Sequence, residues 1–116
     1  METKLRCHLI EGTPTESDLS PSDAHFDVIK TFEEDSHLSR RILKCKRCGQ
    51  LYFYEFYEEI DWKEGNDSQY CTYIPIETVE EAEELNKKSQ FALLGVVPRL
   101  QDDFLQDGTK TIEWMR

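Results

Sequence analysis

Leu51-Tyr-Phe-Tyr-Glu-Phe-Tyr-Glu-Glu-Ile-Asp-Trp62 is the stretch that decides the fold. Successive side chains of a strand point to opposite faces. Tyr52, Tyr54, Phe56, Ile60 and Trp62 therefore share one face, and Leu51, Phe53 and Tyr57 share the other. Apolar groups on both faces at the start of the segment predict a central strand covered on two sides. A base-stacking platform would need basic neighbours. Glu55, Glu58, Glu59 and Asp61 stand there instead, so the aromatics read as core.

Downstream, Gly65-Asn66-Asp67 signals a turn, and Gln69 to Ile76 is predicted to return as a strand ended by Pro75. Upstream, Phe26 to Phe32 alternates apolar and polar residues and forms a hairpin with Leu38 to Lys44 around the charged turn Glu33 to His37. Leu5 to Ile10 is predicted as a short strand, and Glu11 to Asp23 as a polar loop with room for one helical turn. Thr78-Val-Glu-Glu81 matches a capping box and opens a helix from about Val79 to Lys88. Ser89 caps a second short helix through Leu94, stopped by Gly95 and Pro98. Asp107-Gly108 reads as a turn and Thr109 to Met115 as a final strand. The expected fold class is α+β, a single domain over residues 1–116, with an antiparallel sheet of about five strands, two short helices and a CxxCG turn of the zinc-knuckle type.

The chain has 116 residues, of which 38% are hydrophobic and 33% charged, so the core must be modest. Six Phe, five Tyr and two Trp supply the large buried areas that keep such a chain folded. The net charge is −10 and is unevenly spread. Residues 1–50 carry 9 acids and 8 bases, whereas residues 51–116 carry 15 acids and 6 bases. An acidic surface of this kind repels phosphate backbones and attracts basic ones. No apolar run approaches the roughly 20 residues needed to cross a bilayer, and Met1-Glu2-Thr3-Lys4 lacks the layout of a signal peptide. A cytoplasmic setting is expected, in which cysteines stay reduced and serve as metal ligands or redox groups.

Cys45-Lys-Arg-Cys48-Gly49 is the strongest chemical signal. Two thiolates separated by two residues can converge on one ion, and a glycine after the second tolerates the left-handed backbone of such a turn. Two ligands do not close a tetrahedral site, and strand geometry ranks the rest. If the second hairpin turns near Gly65, Cys71 pairs near Tyr57 to Glu59, roughly 30 Å from Cys48 at strand rise. If the first hairpin turns near Asp35, Cys45 pairs near Phe26, which brings His25 close and leaves His37 at the far tip. Cys7 is the natural third sulfur on an N-terminal segment beside the turn. The expected site is a tetrahedral Zn2+ held by Cys7, His25, Cys45 and Cys48, with His8 as the substitute for His25 and iron as the alternative metal. Lys44-Cys45-Lys46-Arg47-Cys48-Gly49-Gln50, entering an aromatic strand, resembles the knuckles of zinc-ribbon and rubredoxin-type proteins, although the second C-x-x-C of a usual ribbon is absent.

H-E-x-x-H and H-x-E…C-x-x-C patterns are absent, as are a nucleophile elbow and a glycine-rich phosphate loop. A structural, non-catalytic zinc is therefore expected. Glu58, Glu59, Asp61, Glu64 and Asp67 cluster around the second hairpin tip, and Glu80, Glu81, Glu83 and Glu84 lie on the first long helix. This pattern reads as a surface that docks on a basic protein partner, as an immunity- or antitoxin-type inhibitor would. Two alternatives come from other classes. One is nucleic-acid binding through the basic cluster Arg40, Arg41, Lys44, Lys46 and Arg47. The other is thiol oxidoreduction by Cys45 and Cys48.

Overall fold

The computed structural model describes residues 7–11, 14–19, 22–35, 37–59, 68–105 and 108–115. Six strands are present among them: β1 (Phe26–Glu34), β2 (Leu38–Cys45), β3 (Leu51–Glu59), β4 (Ser68–Ile76), β5 (Arg99–Phe104) and β6 (Lys110–Met115). They form one antiparallel sheet in the order β1-β2-β3-β4-β5-β6, so each strand pairs only with its neighbours in sequence. Three single-turn helices precede the sheet: α1 (His8–Glu11), α2 (Glu16–Leu19) and α3 (Ser22–His25). Two more, α4 (Val79–Asn86) and α5 (Gln90–Leu93), lie between β4 and β5. No described helix is long and apolar enough to cross a membrane.

The two-sided burial expected of the aromatic segment is present at its start, where adjacent Tyr52 and Phe53 are both 0% exposed. On the first face, Phe26, Leu43, Cys45, Tyr52, Tyr73 and Leu100 pack with Cys7, Leu9 and Leu19 of the N-terminal segment. The Phe26 ring meets Tyr52 edge-on at 5.9 Å and lies against Tyr73 at 5.7 Å, geometries favoured by the aromatic quadrupole. On the second face, Ile42, Phe53, Ile74 and Ile76 pack with Ala82 of α4 and Leu93 of α5. Ile60 and Trp62, expected to extend the first face, lie outside the described residues.

The capping box forms. The Thr78 hydroxyl accepts from the Glu81 N–H at 3.3 Å, and the Glu81 carboxylate accepts from the Thr78 N–H at 3.0 Å. Ser89 accepts from the Ala92 N–H at 3.2 Å and starts α5.

Two expectations are corrected. The segment read as a strand over Leu5 to Ile10 is helical from His8 onward, with Leu5 and Arg6 outside the described residues. It crosses the face of the sheet, where no strand edge is available, so its backbone is satisfied locally: the Ile10 N–H donates to the Cys7 carbonyl at 2.9 Å. β5 was not anticipated, because Asp102 and Asp103 break its apolar pattern. It exists because both neighbours supply ladder bonds, pairing Cys71 with Asp102 on one side and Asp102 with Ile112 on the other.

Arg40 also differs from its reading as part of a basic surface cluster. Arg40 and Glu55 are cross-strand partners, 8% and 4% exposed, on the second face. The guanidinium donates from Nε to Glu55 Oε2 at 2.8 Å and from Nη1 to the carbonyl of Asn86, the last residue of α4, at 2.9 Å. One side chain thus satisfies a buried carboxylate and a free helix-end carbonyl together. Removing one partner of such a pair costs about 3–5 kcal/mol, because the other charge stays buried and unpaired. Arg40→Met is expected to show this loss in urea denaturation, and the double variant Arg40→Met/Glu55→Leu to recover most of it.

Candidate metal centre

The centre is built at the turn between β2 and β3. The Gly49 N–H donates to the Cys45 carbonyl at 2.8 Å, and the Cys45 N–H donates to the Gln50 carbonyl at 2.9 Å. Gly49 has φ +81°, a conformation that a side chain would strain. The turn therefore brings Cys45, at the end of β2, and Cys48 into one loop. Cys45 pairs across the sheet with Phe26, and the Lys46 N–H donates to the His25 carbonyl at 2.9 Å.

Cys7 arrives from the N-terminal segment, just ahead of α1. That segment is anchored by buried Leu9 and by the Trp114 indole N–H, which donates to the Leu9 carbonyl at 2.7 Å. The Cys7, Cys45 and Cys48 sulfurs all lie within 4.8 Å of one another, and those of Cys7 and Cys48 are 2.7 Å apart. Cys7 and Cys45 are buried and Cys48 is exposed. This is a soft donor set of the kind that takes zinc or iron.

The surroundings fit a charged thiolate group. The Tyr52 hydroxyl is fully buried without a conventional hydrogen-bond partner, and it faces the Cys7 sulfur. A phenol in this position can donate to a metal-bound thiolate. In the metal-free chain, burial pushes the Cys7 thiol up to about 12; its contact with Cys48 adds to this and the Tyr52 hydroxyl opposes it. Lys46 and Arg47 are exposed on the turn. The Lys46 ammonium also donates to the Asp23 carbonyl at 2.7 Å.

The structure gathers the three expected sulfurs and leaves the imidazole of His25 outside that group. His25 ends α3, half-buried, and shares the wall of a cavity of about 280 Å³ with Leu9, Phe26, Cys45, Lys46 and Arg47. His8 lies in α1. His37 sits at the far hairpin tip, where Nδ1 is 3.0 Å from Glu58 Oε1 and holds that carboxyl below the usual range. Cys71 pairs with Phe56, one residue short of the expected Tyr57 to Glu59, and its sulfur lies 3.6 Å from the Tyr54 hydroxyl. It does not belong to the thiol group. Of the expected docking residues, Glu58 is half-buried at the end of β3 and Glu59 is exposed; Asp61, Glu64 and Asp67 lie outside the described residues.

Tyr52 is the site residue that sequence reasoning missed. Its signal was present: a tight turn from Cys45 to Gln50 pairs Leu43 with Tyr52, two residues along from Cys45 on the same face. No family model, curated protein or solved structure matches the chain.

Several protons of the folded chain are held tightly. Burial raises Cys7 to about 12 and Cys71 to about 11 from 9.0, and lifts Tyr52, Tyr54 and Tyr73 above 10.0. The folded state thus keeps protons that the unfolded chain loses, and the stability they contribute is fully present below the unfolded values and lost as pH rises. Urea midpoints of the metal-free protein are expected to be level from neutral pH to about pH 9 and to fall continuously above it.

Proposed function

We propose that this chain is a non-catalytic, zinc-stabilised module whose acidic surface binds a basic protein partner. The observation that carries the zinc reading is the convergence of three sulfurs from two distant stretches of chain on one point beside the buried Tyr52 phenol. Cys7, Cys45 and Cys48 would hold Zn2+ as thiolates. His25, on the wall of the cavity that Cys45 lines, would complete the tetrahedron by a change of rotamer. The ion would supply no chemistry beyond cross-linking. It would fasten the N-terminal segment to the β2–β3 turn, where a chain of this composition gains from a staple.

One feature supports a structural over a thioredoxin-like role. The C-x-x-C lies in a turn between two strands, whereas a thioredoxin-like motif opens a helix. The docking half of the proposal rests on the net charge of −10 and on Glu58, Glu59 and the exposed glutamates of α4. Such a surface raises association rates and makes binding salt-sensitive.

Native mass spectrometry is expected to find one zinc per chain, removed by chelator, by Cys7→Ala and by Cys48→Ala but retained in Cys71→Ala. His25→Ala is expected to weaken zinc about tenfold or more. An iron spectrum in freshly purified protein would redirect the metal assignment. For the docking surface, a basic protein retained on the immobilised chain at low salt is expected to elute at high salt and to be lost from Glu58→Lys/Glu59→Lys. Retention of nucleic acid instead would favour the basic turn as the binding element.

A further inference from the structure

The three-thiol group carries an asymmetry that the zinc reading does not use. Cys48 is exposed, Cys7 is 3% exposed, and their sulfurs are 2.7 Å apart, closer than unbonded sulfurs ordinarily approach. Cys45, the partner of Cys48 in the C-x-x-C, is bound into the end of β2 through its ladder to Phe26 and through its N–H, which donates to the Gln50 carbonyl. We propose that the centre is a redox-controlled clamp in which a peroxide joins Cys7 to Cys48, expels the metal and replaces it with a covalent link between the same two stretches of chain. The proposal rests on the metal reading and names the regulation of that site.

The chemistry follows from exposure. Oxidation begins at the thiolate the oxidant can reach, which is Cys48. Its sulfur attacks the O–O bond of hydrogen peroxide, forming a sulfenic acid and releasing hydroxide, which takes a proton to become water. The Cys7 sulfur then displaces the sulfenic hydroxyl, which leaves as a second water once protonated. An S–S bond forms, the two thiols lose two electrons between them, and the peroxide gains two. A zinc ion left with Cys45 and an imidazole has lost two of its thiolates and dissociates. Cys71, outside the group and half-buried on β4, takes no part.

The geometry thus selects a link between residues 41 positions apart over the sequence-adjacent C-x-x-C. A Cys45–Cys48 disulfide would tie two ends of one turn and leave the N-terminal segment untethered. A Cys7–Cys48 bond keeps that segment on the sheet after the ion has left, so the protein would shed metal without shedding its fold.

The test uses the full chain, with zinc content measured before any oxidant is added. Hydrogen peroxide is titrated in, zinc is read with a chromogenic chelator, and the disulfide is located by non-reducing peptide mapping with alkylation of the remaining thiols. One zinc is expected to appear per Cys7–Cys48 bond, with Cys45 alkylated, and dithiothreitol plus zinc should restore the starting state. Cys71→Ser should give the same map. A Cys45–Cys48 bond, a bond to Cys71, or oxidation without a disulfide would overturn the proposal. If the starting protein holds no zinc, the metal reading fails separately, while the map obtained on that metal-free chain still decides which cysteines join.

Discussion

The turn from Cys45 to Gln50 is the constraint on which the rest of the molecule depends. Its two backbone hydrogen bonds and the positive φ of Gly49 fix how β3 leaves β2. The resulting register sets Leu43 against Tyr52 and Ile42 against Phe53, which assigns each residue to one of the two packed faces. A slip of one residue would exchange the faces and carry Glu55 away from Arg40. The same turn presents two thiols at the rim of the first face, so the geometry that makes the core also makes the centre.

The two faces are covered in different ways. The second is roofed by α4 and α5, and Arg40 ties the end of α4 back to the sheet. The first is covered by an N-terminal segment made of single helical turns. Helices this short have almost no stability of their own, so the segment's conformation is imposed by what it rests on. Its anchors include Leu9 and Leu19 in the core, the indole hydrogen bond, the bonds from Lys46 to α3 and the sulfur group. Such a covering gains most from a bond that does not depend on buried area.

Strands whose apolar pattern matches a pleated surface were legible in the sequence. Phe26 to Phe32, Leu38 to Lys44 and the aromatic run all stand close to where alternation placed them, and the Phe26–Cys45 pairing follows from the turn near Asp35. The capping box of α4 was equally legible, because its chemistry lies within four residues. What was not legible depended on partners far away in the chain. β5 reads as charged and turns out to be sandwiched between two strands. Leu5 to Ile10 alternates well enough for a strand, but from Cys7 onward the segment packs on the face of the sheet, where its backbone is satisfied locally. Arg40 looked like one of five surface cations, and only the register reveals Glu55 beneath it. At the centre, cysteine spacing identified the sulfurs, whereas Tyr52, hidden among core aromatics, is marked only by the register that the Cys45–Gln50 turn imposes.

The strictly sequential strand order has a kinetic meaning. Among the described residues every ladder joins strands that are consecutive in the chain, so, apart from the α4–α5 excursion between β4 and β5, the sheet can zip up hairpin by hairpin. The N-terminal segment is the exception, since Leu9 must find Trp114, 105 residues away. Its docking is the high-contact-order step and belongs late in folding. During synthesis Leu9 emerges long before Trp114, so the segment that covers the first face must wait for the strand that holds it.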